Sequence, residues 1–223
     1  MKSFISWSGG KDASLSFYRA IKDKDVEAVC LLNMVSEDGK KSRTHGISSD
    51  LLKAQAEAID IPIFQRKTSW DNYETEFIKL LSEFEQKEIQ SGVFGDIDLD
   101  EHREWVERVC SKAEMEPIFP LWQCGREALL LDFIRSGFKA VVVAVKTDML
   151  SSDWLGRKID ESFIADLKKI SSVDLCGEAG EYHTFVYEGP IFKKGINILK
   201  TEKKKTEENC FLNILDYEIT DKY

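Results

Sequence analysis

Short, continuously apolar runs alternate with stretches of helical spacing through the first two-thirds of the chain. Lys2–Trp7 and Val26–Val35 are apolar without a polar face, and such runs suit parallel strands buried on both sides. Between them, Ala13–Lys22 carries Leu15, Tyr18 and Ile21 at helical spacing, which predicts a helix burying those three. The pattern then predicts a helix over Ser49–Ile59, a strand at Pro62–Gln65, a long amphipathic helix over Tyr73–Gln90 and a strand at Gly92–Gly95. Next come a helix over Glu101–Glu114, a strand at Pro117–Phe119 and a helix over Arg126–Ser136 stopped by Gly137. Lys139–Val145, KAVVVAV, is the most strand-like segment of all. Alternation of this kind predicts an α/β protein with an open parallel sheet, helices on both faces, Rossmann-like in plan.

The texture changes after about Thr147. Glu161–Ile170 reads as one more helix, and Thr184–Tyr187, Ile196–Thr201 and Cys210–Ile219 read as antiparallel strands. These predict a small C-terminal α+β lobe, with domains at 1–147 and 148–223. The lysines at Lys193-Lys194 and Lys203-Lys204-Lys205 read as solvated hairpin ends.

Charge and composition narrow the partners. The net charge of −9, from 31 basic and 40 acidic residues, speaks against a broad nucleic-acid footprint. The five cysteines include no CxxC pair, so buried free thiols are expected in place of zinc or disulfides. No stretch approaches the ~18 apolar residues of a membrane span. The opening residues run straight into a strand and a glycine loop, so no signal peptide and a cytoplasmic address are expected.

The strongest chemical signal is SWSGGKDAS, residues 6–14, where the first strand hands over to the first helix. Open α/β sheets bind ligands at that place. Gly9 and Gly10 carry no side chains, so backbone N–H groups there can close on phosphate oxygens. The helix N-terminus adds further donors. Lys11 adds a full charge, Ser8 and Ser14 add hydroxyls, and Asp12 can cap the helix or help hold Mg²⁺. The loop is not GxxxxGK[ST], since Asp12 follows Lys11, and it lacks the GxGxxG spacing of dinucleotide sites.

What the loop does resemble is SGGxDS, the pyrophosphate loop of the N-type ATP pyrophosphatases, with Ala13 in place of the second serine. Nearly the whole chain is similar to one branch of that superfamily, the diphthine–ammonia ligase family. Three further segments carry the resemblance. Thr44-His45-Gly46 with Gln55-Ala56 resembles the nucleotide-side motif after the second strand, which implies adenine near the backbone of Asn33 and Met34. Gly95-Asp96-Ile97-Asp98, His102-Arg103-Glu104-Trp105, Cys110 and Pro120-Leu121-Trp122 resemble the middle motif. Cys176-Gly177-Glu178-Ala179-Gly180-Glu181-Tyr182-His183-Thr184, followed by Gly189-Pro190-Ile191-Phe192, resembles the C-terminal motif. All three histidines of the chain fall inside these segments.

The resemblance implies a HUP-like fold and an ATP-dependent ligase that adenylates a carboxylate, then lets ammonia or another amine displace AMP. ATP and Mg²⁺ would meet Ser8, Gly9, Gly10, Lys11, Asp12, Ser14, Met34 and His45, with Asp12 toward the metal. Gly95, Asp96, Asp98, His102, Glu178 and Thr184 would face the carboxylate substrate. Lys11, Asp12, Glu178, Glu181 and His183 would carry the catalysis. The family's substrate is diphthine on elongation factor 2. His183 departs from the pattern, standing where many members carry glutamate, and is closer to a prokaryotic subgroup serving another substrate, of cobalamin type. A tRNA-modifying ATP pyrophosphatase and a nucleotide-binding sensor are the rival readings; the charge and the missing CxxC count against the first, the acidic motif at 176–184 against the second.

Overall fold

A computed structural model describes residues 1–23, 26–43 and 45–222. Its contacts divide the chain into two compact units, Met1–Ser8 with Asp12–Gln123, and Gly9–Lys11 with Cys124–Tyr223.

The first unit is a five-stranded parallel sheet in the order β3-β2-β1-β4-β5. Its strands are β1 (Lys2–Ser6), β2 (Glu27–Val35), β3 (Ile63–Lys67), β4 (Ser91–Val93) and β5 (Glu116–Ile118). They alternate with α1 (Lys11–Asp23), α2 (Ser49–Ile59), α3 (Tyr73–Glu85) and α4 (Asp100–Lys112). The period-2 alternation of each strand sends residues to both faces. Phe4, Cys30, Leu32 and Met34 join Phe77, Leu81 and Phe84 of α3 and Val109 of α4 in one buried cluster. On the other face the Trp7 indole N–H donates to Gln55 Oε1 at 3.0 Å, and its ring meets Phe17 edge-on. Gln55, part of a motif in the sequence, is fully buried and anchors α2 there.

Of the three residues expected on one face of α1, Leu15 is buried. Ala13, Phe17 and Ala20 turn inward, Tyr18 is half-buried and Ile21 is 42 % exposed. Small residues at 13, 16 and 20 bring the helix close to the sheet, and spacing alone did not rank them above Ile21.

The second unit contains α5 (Arg126–Arg135), α6 (Glu161–Leu167) and a four-stranded sheet of order β7-β6-β9-β8. These strands are β6 (Lys139–Lys146), β7 (Tyr182–Glu188), β8 (Lys194–Lys205) and β9 (Asn209–Asp221). The KAVVVAV segment therefore lies in this sheet, antiparallel to β7 and β9, and not in the parallel one. A strand covered on both faces reads the same in either setting. Lys203, Lys204 and Lys205, expected beyond the strand, are its last three residues. Among the described residues no helix is long and apolar enough to cross a membrane.

Candidate active site

In the first unit, the chain leaves β1 with the Trp7 N–H donating to Leu32 O at 2.7 Å. Asn33 Nδ2 donates to Trp7 O at 2.7 Å, so β1 and β2 end in register. Ser8, Asn33, Met34, Arg43 and Tyr73 line a cavity of about 130 Å³ at this carboxyl end of the sheet. Ser8 and Met34 thus line one cavity. His45 is half-buried beside Gly46, which has φ +67°; Thr44 lies outside the described residues.

Gly95 follows β4, where an added Cβ would come within 3.1 Å of the Asp12 carbonyl carbon and the Ala13 nitrogen. Its bareness lets the strand end abut the start of α1. Asp96 lies 3.6 Å from His102 Nδ1, while Asp98 stands exposed. Ser14 is buried, and its Oγ has no partner. Asn33 Oδ1 and Arg43 Nε are also out of water without partners. Native interiors leave few such atoms, so each calls for an explanation.

Cys110 contributes no reactive thiol: burial pushes it up to about 12, and Cys30 likewise, with Lys87 pulling the latter slightly back. A buried apolar surrounding disfavours the thiolate that reactivity requires.

The second unit holds the rest of the glycine loop against β7. The Val186 N–H donates to Gly9 O at 3.0 Å, and the Lys11 N–H donates to Thr184 Oγ1 at 3.0 Å. Gly9 takes φ +81°, a conformation a side chain resists; Gly10 is buried. Lys11 is only 4 % exposed. Its ammonium donates to Cys176 O and lies 5.3 Å over the Tyr182 ring. The lysine is therefore held by a carbonyl and by an aromatic face.

Residues 174–181 form a loop knitted by its own carboxylates. Asp174 Oδ1 accepts from the N–H groups of Cys176 and Glu178, at 2.8 and 3.2 Å. The Arg126 guanidinium pairs with Asp174 Oδ2. Glu181 Oε1 accepts from Asp174 N at 2.9 Å and Oε2 from Ala179 N at 3.0 Å. Gly177 takes φ +74°, and a Cβ there would come 2.9 Å from Tyr182 O. Glu181, a catalytic candidate by sequence, is 3 % exposed with both oxygens engaged by backbone, so here it fixes the loop. Glu178 is half-buried on the same loop. Burial, with Lys11 nearby as the smaller cause, lowers His183 to about 4, so its imidazole is uncharged at neutral pH. Asp174 and Arg126 escaped the sequence reading, because a carboxylate bonded to backbone two and four residues on leaves no motif.

Among the described residues no group of three or more His, Cys, Asp or Glu could hold a metal by itself.

A parallel sheet of order 3-2-1-4-5, whose first strand ends in a glycine loop that opens a helix, defines a nucleotide-binding α/β protein. Residues 1–117 match the diphthamide synthase N-terminal domain and residues 125–219 the diphthamide synthase C-terminal domain. The chain belongs to the diphthine–ammonia ligase family, ATP-dependent enzymes that form a carbon–nitrogen bond. Mouse diphthine–ammonia ligase is 31 % identical, covering 92 % of this chain and 85 % of its own length. The human enzyme is 30 % identical, over 87 % of this chain and 82 % of its own. A Methanocaldococcus jannaschii structure described as a predicted subunit of tRNA methyltransferase aligns with 85 % of this chain and 98 % of its own, at TM-score 0.44 and 15 % identity.

Proposed function

We propose that this protein activates a carboxylate with ATP and converts it to an amide with ammonia, and that the carboxylate is that of diphthine on elongation factor 2. The observation that carries the reading is the family match through both parts of the chain, 1–117 and 125–219, since the likeness is not confined to the nucleotide-binding part. The reaction would run in the cytoplasm.

A carboxylate oxygen bonds to the α phosphorus as the bond to the β-phosphate oxygen breaks, releasing pyrophosphate. The nitrogen of ammonia then bonds to the acyl carbon; the carbon–oxygen bond to AMP breaks, and the new amide sheds a proton. The backbone around Gly9 and Gly10, with Ser8, Ser14 and Lys11, would receive the β and γ phosphates, and the backbone by Met34 the adenine. Mg²⁺, held by phosphate oxygens and Asp12, would neutralise charge on the leaving group. Lys11 is placed for the same work, because a preorganised cation stabilises charge where it develops. His183, uncharged at neutral pH, and Glu178 are the groups we assign to receive the amine's proton. Asp96 and His102 would orient the acyl substrate.

A second reading is the same chemistry on a small carboxylate of cobalamin type, the alternative that His183 raised in the sequence. The test is to incubate the protein with ATP, Mg²⁺, ammonium and diphthine-bearing elongation factor 2, then separate nucleotides and weigh the factor. AMP, pyrophosphate and an amidated factor are expected. ADP as product would overturn the mechanism; AMP only with a small carboxylate would replace the substrate.

A further inference from the structure

The proposed reaction brings in two anions, and only one has been given a receptor. The glycine loop and Lys11 would meet the triphosphate; no arginine or lysine has yet been set against the carboxylate. Arg43 stands at the carboxyl end of β2, its N–H donating to Met34 O at 2.9 Å, and it lines the same cavity as Ser8. Its guanidinium carbon lies 4.6 Å over the ring of Trp70. That tryptophan is 65 % exposed, the most open of the chain's large apolar side chains, and it stacks on Tyr73 at 5.9 Å. Trp70 therefore gains little from burial, and what it does contribute is a flat support for a flat cation.

The other arginines of this unit with charged neighbours are paired. Arg66 bonds Glu76 and Glu83, Arg103 bonds Glu107, and Arg108 bonds Glu74. Among the described residues Arg43 meets no carboxylate, and its Nε is buried with no acceptor. A buried donor without an acceptor weakens the fold, so its retention calls for a reason in binding. A guanidinium held by its face leaves its N–H edge for a planar oxyanion, the two-pronged geometry that suits carboxylate.

We propose that Arg43 receives the carboxylate of the acyl substrate, with Trp70 as the positioning residue that holds it. This rests on the acyl-transfer reading above. Arg43 shares its cavity with Ser8 and Met34, so the acyl carboxylate would sit beside the nucleotide it attacks. The ligand class that suits such a guanidinium edge is a small carboxylate.

Two measurements on the intact protein test this. In the amidation assay, Arg43→Ala should raise KM for diphthine-bearing elongation factor 2 by about 10–100-fold, the loss of a charged bidentate pair. ATP affinity should move less than about twofold, and the thermal midpoint should not fall, because no internal bond is removed. Arg43→Lys and Trp70→Ala should lie between, and Trp70→Phe should recover part of the Trp70→Ala loss by restoring a ring. Equal weakening of ATP and acyl substrate would overturn the proposal by making Arg43 a nucleotide contact; a lowered midpoint with unchanged KM would make it structural.

The second measurement needs no turnover, so it separates this proposal from the reaction itself. Trimethylammonioacetate is titrated at fixed ionic strength while the part of the tryptophan fluorescence absent from Trp70→Phe is followed. A saturable change is expected, lost in Arg43→Ala. No change in the wild type, or one that persists in Arg43→Ala, sinks the assignment even if AMP is formed.

Discussion

The carboxyl end of the parallel sheet and the loop at residues 174–181 are both polar, yet they satisfy their polar atoms in opposite ways. At the sheet end Ser14 Oγ, Asn33 Oδ1 and Arg43 Nε are buried without partners. In the loop, Asp174 and Glu181 spend their oxygens on the loop's own N–H groups and on Arg126. The first arrangement gives up folding stability and leaves donors and acceptors unmet within the protein. The second uses charge to fix a backbone carbonyl, Cys176 O, against Lys11. Polarity alone does not mark a receptor.

Substitutions can break that contrast, because the two regions should respond with opposite sign. The largest effect is expected for Glu181→Ala. It strips acceptors from two N–H groups in a site only 3 % exposed, and should cost about 3–5 kcal/mol in urea unfolding. A loss below ~1 kcal/mol would mean the loop does not depend on that carboxylate.

His183 should give the next largest effect, as a pH dependence. Its folded value of about 4 lies below the ordinary 6.5, so the unfolded chain binds the proton first as pH falls. This group's contribution is complete above pH 6.5 and is lost between 6.5 and about 4, amounting to about 3 kcal/mol. In His183→Gln the acid limb of stability against pH should flatten by that amount; an unchanged limb would show that the imidazole is hydrated in solution.

The smallest change is expected at Ser14→Ala. An unpartnered hydroxyl loses nothing on removal, so stability should shift by less than about 0.5 kcal/mol or rise. ATP affinity should nevertheless drop about 3–10-fold, the worth of one hydroxyl bond. Loss of stability with intact nucleotide binding would reverse the contrast drawn above.

Much of the parallel sheet was legible because its signals are local. An apolar run, two glycines and a helix start fix β1, the loop and α1 within about 20 residues. What escaped depends on distant partners. KAVVVAV does not encode the direction of its neighbours, so β6 read as one more parallel strand. Glu181 looks reactive in sequence because two acids near glycines resemble a catalytic pair; only the Asp174 and Ala179 N–H groups show where its oxygens go. Arg43 sits one residue before the Thr44-His45-Gly46 motif, yet nothing local announces that Trp70, far along the chain, lies beneath it.

The lysines that end β8 have a consequence beyond local geometry. That strand is the outermost of its sheet, twelve residues long, and its last residues are exposed. A long bare border of N–H and C=O groups invites another copy to dock along it. Lys200, Lys203, Lys204 and Lys205 make any such neighbour repel its twin, since two copies would align like charges. Acetylation of those ammonium groups would remove the repulsion while leaving the hydrogen-bonding border intact, and the enzyme would trade solubility for self-association.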